Sequence, residues 1–211
     1  MEFRVSKIDK SEDEYESFLL HKAYYAEKVK PLKTSSRRRL EVLAVRTLLK
    51  EMTGEEQEII YDKYGAPSFK TLSKDRNFLS ISHTDGFVAV ILGEKPVGID
   101  VEKRGRRVEQ VKSKFLQDAE MSLVETISLS AENFQSSQSE LYLLCLHLIW
   151  SAKEAAFKVL GQEYFDLQNL TCATEIDFLN KQIKMNVEGK TPFTIHFDFT
   201  EEYVLCYLIS D

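Results

Sequence analysis

The alternation of apolar and polar positions predicts short strands at the start, middle and end of the chain, with long helices between them. Residues 2–8 read as a strand and 12–28 as a helix. Over 36–52 the apolar side chains Leu40, Val42, Leu43, Ala44, Val45, Leu48 and Leu49 cover much of a helix circumference. Ser35 or Ser36 is its N-cap, and Gly54 stands just past its end. The charges of this helix fall on a ribbon, with Arg39, Arg46 and Lys50 at i, i+7 and i+11 and with Arg37 and Arg38 at its start. Tyr64-Gly65-Ala66-Pro67 is a turn signal. Residues 78–82, 87–92 and 97–102 then read as three strands, separated by Thr84-Asp85-Gly86 and by a turn over 93–96. Beyond Lys103 to Arg107 the pattern loosens as far as Ser137. Residues 139–160 form a long helix closed by Gly161, and 183–187, 193–199 and 203–209 are strands. The class is α+β with antiparallel sheets. The order strand, helices, strands occurs twice, which suggests two similar halves, residues 1–96 and 97–211.

With 43% hydrophobic and 29% charged residues, a chain of 211 residues can bury a sizeable core, and 8 Gly with 4 Pro exclude collagenous or low-complexity character. The first residues mix both signs of charge and lack the apolar run of a secretory signal, so a cytoplasmic protein is expected. The longest apolar stretch, residues 141–150, is too short to span a bilayer. Cys145, Cys172 and Cys206 are too widely spaced for a zinc site or a disulfide framework and are expected to be free thiols. The net charge is −6, yet residues 27–50 carry eight Lys or Arg against Glu27 and Glu41. A basic block in an acidic chain suggests a local anion site rather than general affinity for nucleic acid; a solvated helix face is the alternative.

Three groups of residues could carry chemistry. Asp100 and Glu102 lie two apart on one strand, so both carboxylates share a face with Cα atoms about 7 Å apart, while Ile99 and Val101 face a core. Paired acids repel in a buried site unless a cation lies between them, and hard oxygens without His or Cys suit magnesium. Solvated acids on an edge strand are the alternative. In Trp150-Ser151-Ala152-Lys153-Glu154-Ala155-Ala156-Phe157-Lys158, the residues Trp150, Glu154 and Lys158 share one helix face, and Glu154 could complete the acidic site; an ordinary surface Glu–Lys pair is the alternative. His83 follows a strand end in a polar turn. No hydrolase triad or phosphate-binding loop is visible, and no pair of histidines has metal-ligand spacing.

Taken in order, Ile81-Ser82-His83, Gly98-Ile99-Asp100-Val101-Glu102 and Trp150-Ser151-Ala152-Lys153-Glu154-Ala155 resemble the 4′-phosphopantetheinyl transferases, in the larger type that activates surfactin synthetase. The matching blocks cover about half the chain. The resemblance implies a monomer of two similar halves related by a pseudo-two-fold, with coenzyme A in the cleft between them, and transfer of its phosphopantetheine arm to a serine of an acyl or peptidyl carrier protein. Adenosine 3′,5′-bisphosphate would leave. Asp100, Glu102 and Glu154 would bind magnesium with the pyrophosphate of coenzyme A, and Asp100 counts with Glu154 and Lys158 among the catalytic residues. Glu154 would take the serine proton, directly or through water, and Lys158 would offset charge on the phosphate under attack. Ser82, His83, Lys153, Arg46 and either Arg38 or Arg39 would hold coenzyme A. Neither a nucleic acid nor a membrane is an expected partner.

Two departures from the family pattern stand out. Ala66 replaces a lysine common in relatives, leaving one phosphate contact missing or supplied by Lys63. The stretch between Glu102 and Trp150 is longer than usual and, with basic Lys103 to Arg107, Lys112 and Lys114, bears on carrier docking. The rival readings are a magnesium-dependent phosphohydrolase and a non-catalytic module binding nucleotide or RNA through residues 28–50.

Overall fold

The structure is a computed structural model that describes residues 1–20, 36–71, 77–134, 136–161, 166 and 169–210. The chain divides into two compact units, Met1–Val97 and Gly98–Asp211. The class is mixed α+β with antiparallel strand pairs and five α-helices among the described residues.

In the first unit, β1 (Glu2–Lys7) and α1 (Glu12–Phe18) precede α2 (Ser36–Thr53), a small β2 (Ile59–Tyr61) and β3 (Pro67–Phe69) hairpin, and then β4 (Phe78–Thr84) and β5 (Phe87–Gly93). β5 lies between β1 and β4, antiparallel to both. Its sequence Phe-Val-Ala-Val-Ile-Leu-Gly is buried at every position, as a central strand demands. Val88, Val90 and Leu92 alternate onto one face and share a core with Leu43, Leu48 and Leu49 of α2 and with Tyr15 and Leu19.

Helix α1 starts on a capping box, with Ser11 accepting from the Glu14 amide and Glu14 from the Ser11 amide. It ends well short of the helix expected over residues 12–28. Leu19 turns extended to bury its side chain, and the Leu20 amide donates to Glu56. The rest of that expected helix, residues 21–28, lies outside the described residues, as do Lys28, Lys30 and Lys33 of the basic block. Ser36 is the first residue of α2 rather than its cap, and Ser35 lies outside the described residues.

β6 (Val97–Lys103) leads into the second unit from its first residue, and the unit continues through α3 (Arg107–Val111), α4 (Asp118–Ser128) and α5 (Gln138–Leu160). A meander of β7 (Thr171–Asp177), β8 (Gln182–Val187), β9 (Phe193–Phe199) and β10 (Tyr203–Ile209) closes it, and β6 joins the sheet beside β10. Helix α5 has a Ser137–Glu140 capping box and stops at Gly161, whose φ of +91° suits a residue without Cβ. Leu141, Leu144, Cys145, Leu148, Ile149, Ala152, Ala155 and Ala156 form its apolar stripe, packed on Ile183, Met185, Ile195, Phe197, Val204, Cys206 and Leu208 of the sheet. Cys145 and Cys206 are buried thiols, Cys172 is half-buried, and all three are free. No helix among the described residues is long and apolar enough to cross a membrane.

Candidate functional site

In the second unit, β6 and α5 are held together by the residues that carry the motifs. Along β6 the period-two alternation sends Ile99 and Val101 into the interior and Asp100 and Glu102 to the other face. Although β6 ends the strand order, Asp100 is only 4% exposed, so the picture of solvated acids on an edge strand does not hold for it. Opposite lie the side chains of α5. Trp150 Nε1 donates to Glu102 Oε1 at 2.8 Å, and Ser151 Oγ donates to the Asp100 carbonyl at 3.1 Å. Lys158 Nζ donates to the Ile99 carbonyl at 2.6 Å and to Asp100 Oδ1 at 3.0 Å.

The approach is close because Gly98 faces Ala155. A Cβ on Gly98 would stand 2.1 Å from the Ala155 carbonyl oxygen, and three alanines on α5 keep the helix flank thin. Strand and helix backbones therefore sit at a spacing that only small residues permit.

Electrostatics marks the same place. Burial pushes Glu102 up to about 7, aided by repulsion from Asp100 and Glu154 and opposed by the Trp150 hydrogen bond and by Lys158. Burial also pushes Glu154 up to about 7, with Asp100 adding and Lys158 opposing. Three carboxylates thus feel one another in a partly desolvated place, with Lys158 as a nearby cation. Among the described residues, no three His, Cys, Asp or Glu side chains meet closely enough to form a ready metal cage. The donor chemistry nevertheless fits a hard divalent cation: all three ligand candidates are carboxylates, and a cation would offset both the burial and the repulsion that raise Glu102 and Glu154.

Lys153, expected among the coenzyme A contacts, lies inside the second unit. It is 0% exposed; its Nζ donates to the Phe115 carbonyl at 2.6 Å and to Glu120 at 2.7 Å. Glu120, also fully buried, accepts from the amides of Gln117 and Ala173 as well. This pair ties the start of α4 and β7 to α5, with each charge met by a counter-charge and by backbone groups.

In the first unit, a pocket is lined by Arg38, Glu41, Val42, Val45 and Arg46 of α2, Tyr61 of β2, and Ile81 and His83 of β4. The α2 residues fall at i, i+3, i+4, i+7 and i+8, one continuous stripe. The expected ribbon of Arg39, Arg46 and Lys50 is divided. Arg39 pairs with Glu12 at 3.0 Å and Lys50 donates to the Phe18 carbonyl, so both hold α1, while Arg38 and Arg46 line the pocket. His83 belongs to β4 itself, not to the turn after it, and adjacent Ser82 points to the opposite face of the sheet. Beneath Arg38 and His83 lies buried Glu41, a residue that enters the sequence pattern only as a charge; its spacing from Arg37 and Arg38 is the signal that could have marked it.

A family model described as the 4′-phosphopantetheinyl transferase superfamily matches residues 96–208. The chain belongs to the 4′-phosphopantetheinyl transferase superfamily. The matched stretch holds Asp100, Glu102, Trp150, Glu154 and Lys158 of this transferase, and membership supports a role in phosphopantetheinyl transfer in general. No curated protein matches the chain.

Proposed function

We propose that the protein transfers the 4′-phosphopantetheine arm of coenzyme A to a serine of an apo carrier protein, releasing adenosine 3′,5′-bisphosphate, and that it belongs to the larger, surfactin-synthetase-activating type. The pseudo-two-fold pairing of its halves, with coenzyme A drawing on residues of both, is part of this proposal. One observation carries it: inside the family-matched stretch, Trp150 and Lys158 of α5 bond to the two acids of β6, with Glu154 on the same helix face.

Asp100, Glu102 and Glu154 would hold magnesium, which supplies charge withdrawal from the pyrophosphate. Glu154 takes the proton of the carrier serine hydroxyl, making its oxygen a competent nucleophile. Lys158, an ammonium beside Asp100, faces the negative charge that grows on the transferred phosphate. Trp150 fixes the Glu102 carboxylate through its single donor. Arg38, Arg46 and His83 receive phosphate oxygens of coenzyme A. Exposed Arg106 and Arg107, with Lys112 and Lys114 beyond them, steer an acidic carrier. Lys153 serves this site by holding α5 in place and not by touching the cofactor.

The test is mass spectrometry of a panel of apo-carriers incubated with enzyme, coenzyme A and magnesium. One carrier should gain a phosphopantetheine arm. Glu154→Gln keeps the shape and one oxygen but loses the base, and should slow transfer by about 10² to 10⁴ while coenzyme A still binds. Wild-type rates in that variant, or transfer undiminished by chelation, would remove Glu154 or the metal from the mechanism. Phosphate release without carrier modification would identify a phosphohydrolase instead.

A further inference from the structure

We propose that Glu41 is the positioning residue of the first-unit pocket, setting the tautomer of His83 so that binding a phosphate group of coenzyme A takes up one proton at His83 Nε2; the identity of the ligand rests on the transfer reading above. Glu41 is 5% exposed, and its Oε1 accepts from Arg37 Nε at 3.1 Å. Its Oε2 accepts from Arg38 Nη1 at 3.2 Å and lies 3.3 Å from His83 Nδ1. Arg38 Nη1 also contacts His83 Nε2. An arginine only donates, so Nε2 must offer its lone pair; an ionised carboxylate only accepts, so Nδ1 must carry the proton. These two contacts select one neutral tautomer.

A phosphate oxyanion is also only an acceptor. It cannot share a lone-pair-bearing Nε2, so His83 meets it only after Nε2 gains a proton from solvent. Glu41 then holds the resulting imidazolium from the Nδ1 side, and Arg38 Nη1 is released from Nε2 toward the phosphate. The charges agree. Glu41 cancels one of the two arginines lining the pocket, while Arg37 is shared between Glu41 and Asp85 in the β4–β5 turn. Among the described residues the remaining unit of positive charge falls one short of a phosphate dianion, and protonated His83 supplies it. Among the described residues, the charged or titratable groups around His83 include Glu41, Arg38 and Arg46 of α2, Tyr61 of β2, and Arg37 with Asp85 at the rim.

Two measurements test this. Nitrogen-15 spectra of the ligand-free protein at pH about 8 should show His83 protonated at Nδ1, and Glu41→Gln should lose that preference. Calorimetry at the same pH, where a phosphate monoester is already a dianion, is run in buffers of different ionisation enthalpy. It should show close to one proton taken up per coenzyme A bound by the wild type and almost none by Glu41→Gln or His83→Asn, with the double variant no lower than either single one. Affinity should fall by up to about tenfold per pH unit above neutrality in the wild type only. Dephospho-coenzyme A tells which phosphate is seated: loss of uptake points to the 3′-phosphate, retention to the pyrophosphate. A merely structural Glu41 would lower stability and leave proton uptake unchanged, and that result overturns the proposal, as does an Nε2-protonated His83 in the free wild type. The wild-type spectrum and proton count need no variant, so misfolding of Glu41→Gln does not remove the test. Failure of the wild type to bind coenzyme A would overturn the transfer reading separately and, with it, the phosphate side of the proposal; the spectrum would then decide the assignment of Glu41 alone.

Discussion

Glu102 shows what a single residue at this site costs when no cation is present. An ordinary glutamate loses its proton near 4.5, but Glu102 holds it to about 7 because burial and Asp100 oppose the charge. Between those values the folded protein binds a proton that the unfolded chain has released. Stability should therefore fall as pH rises from about 4.5 to about 7 and level off above that. Glu102→Gln removes this slope and should raise the metal-free melting temperature at pH 8 more than at pH 5, by about 2–4 °C for each kcal/mol recovered. Trp150→Phe should act in the opposite sense, since it deletes the hydrogen bond that partly restrains the shift. Thermal scans of both variants across pH check the pair of signs. That Asp100 and Glu102 share a face was legible from alternation alone. The interior place of Lys153 was not, because lysine is seldom fully buried and its partner Glu120 lies 33 residues away.

At the level of elements, the spacing between β6 and α5 decides whether the motif residues can meet. Gly98→Ala would drive a methyl group to 2.1 Å from the Ala155 carbonyl oxygen, so strand or helix must yield. Overpacking of this kind typically costs about 1–3 kcal/mol. Transfer activity should fall further than stability does, because the shift lengthens the Trp150–Glu102 and Lys158–Asp100 bonds. Denaturation midpoints measured beside turnover separate the two effects. Strong periodicity made α2, α5 and the last three strands readable almost to the residue. Elements with weak signals were missed for physical reasons. Helix α4 buries Glu120, Val124 and Ser128, a stripe in which two of three positions are polar, so no apolar period appears. In β7 a register shift between Ala173 and Glu175 breaks the alternation that marks a strand. β2 and β3 are three residues each, too short to show a pattern.

For the molecule as a whole, magnesium should act as a stabiliser if it binds only the native arrangement of Asp100, Glu102 and Glu154. At about a hundred times its dissociation constant the ion would add about 2.7 kcal/mol. The gain should grow with pH, because the carboxylates must be ionised to bind it. Calcium-free thermal scans with and without magnesium at pH 6 and pH 8 measure it, and an ion-independent melting temperature would argue against a metal site. The enclosed Lys153 offers a different kind of readout. Its amine is sealed within the second unit, whereas Lys158 on the same helix keeps 23% of its side chain exposed. An acylating reagent should therefore modify Lys158 in the native protein and reach Lys153 only in molecules whose second unit has opened. Peptide mass mapping over time then gives two clocks on one helix, and the slower one times the opening of the unit that carries the acids.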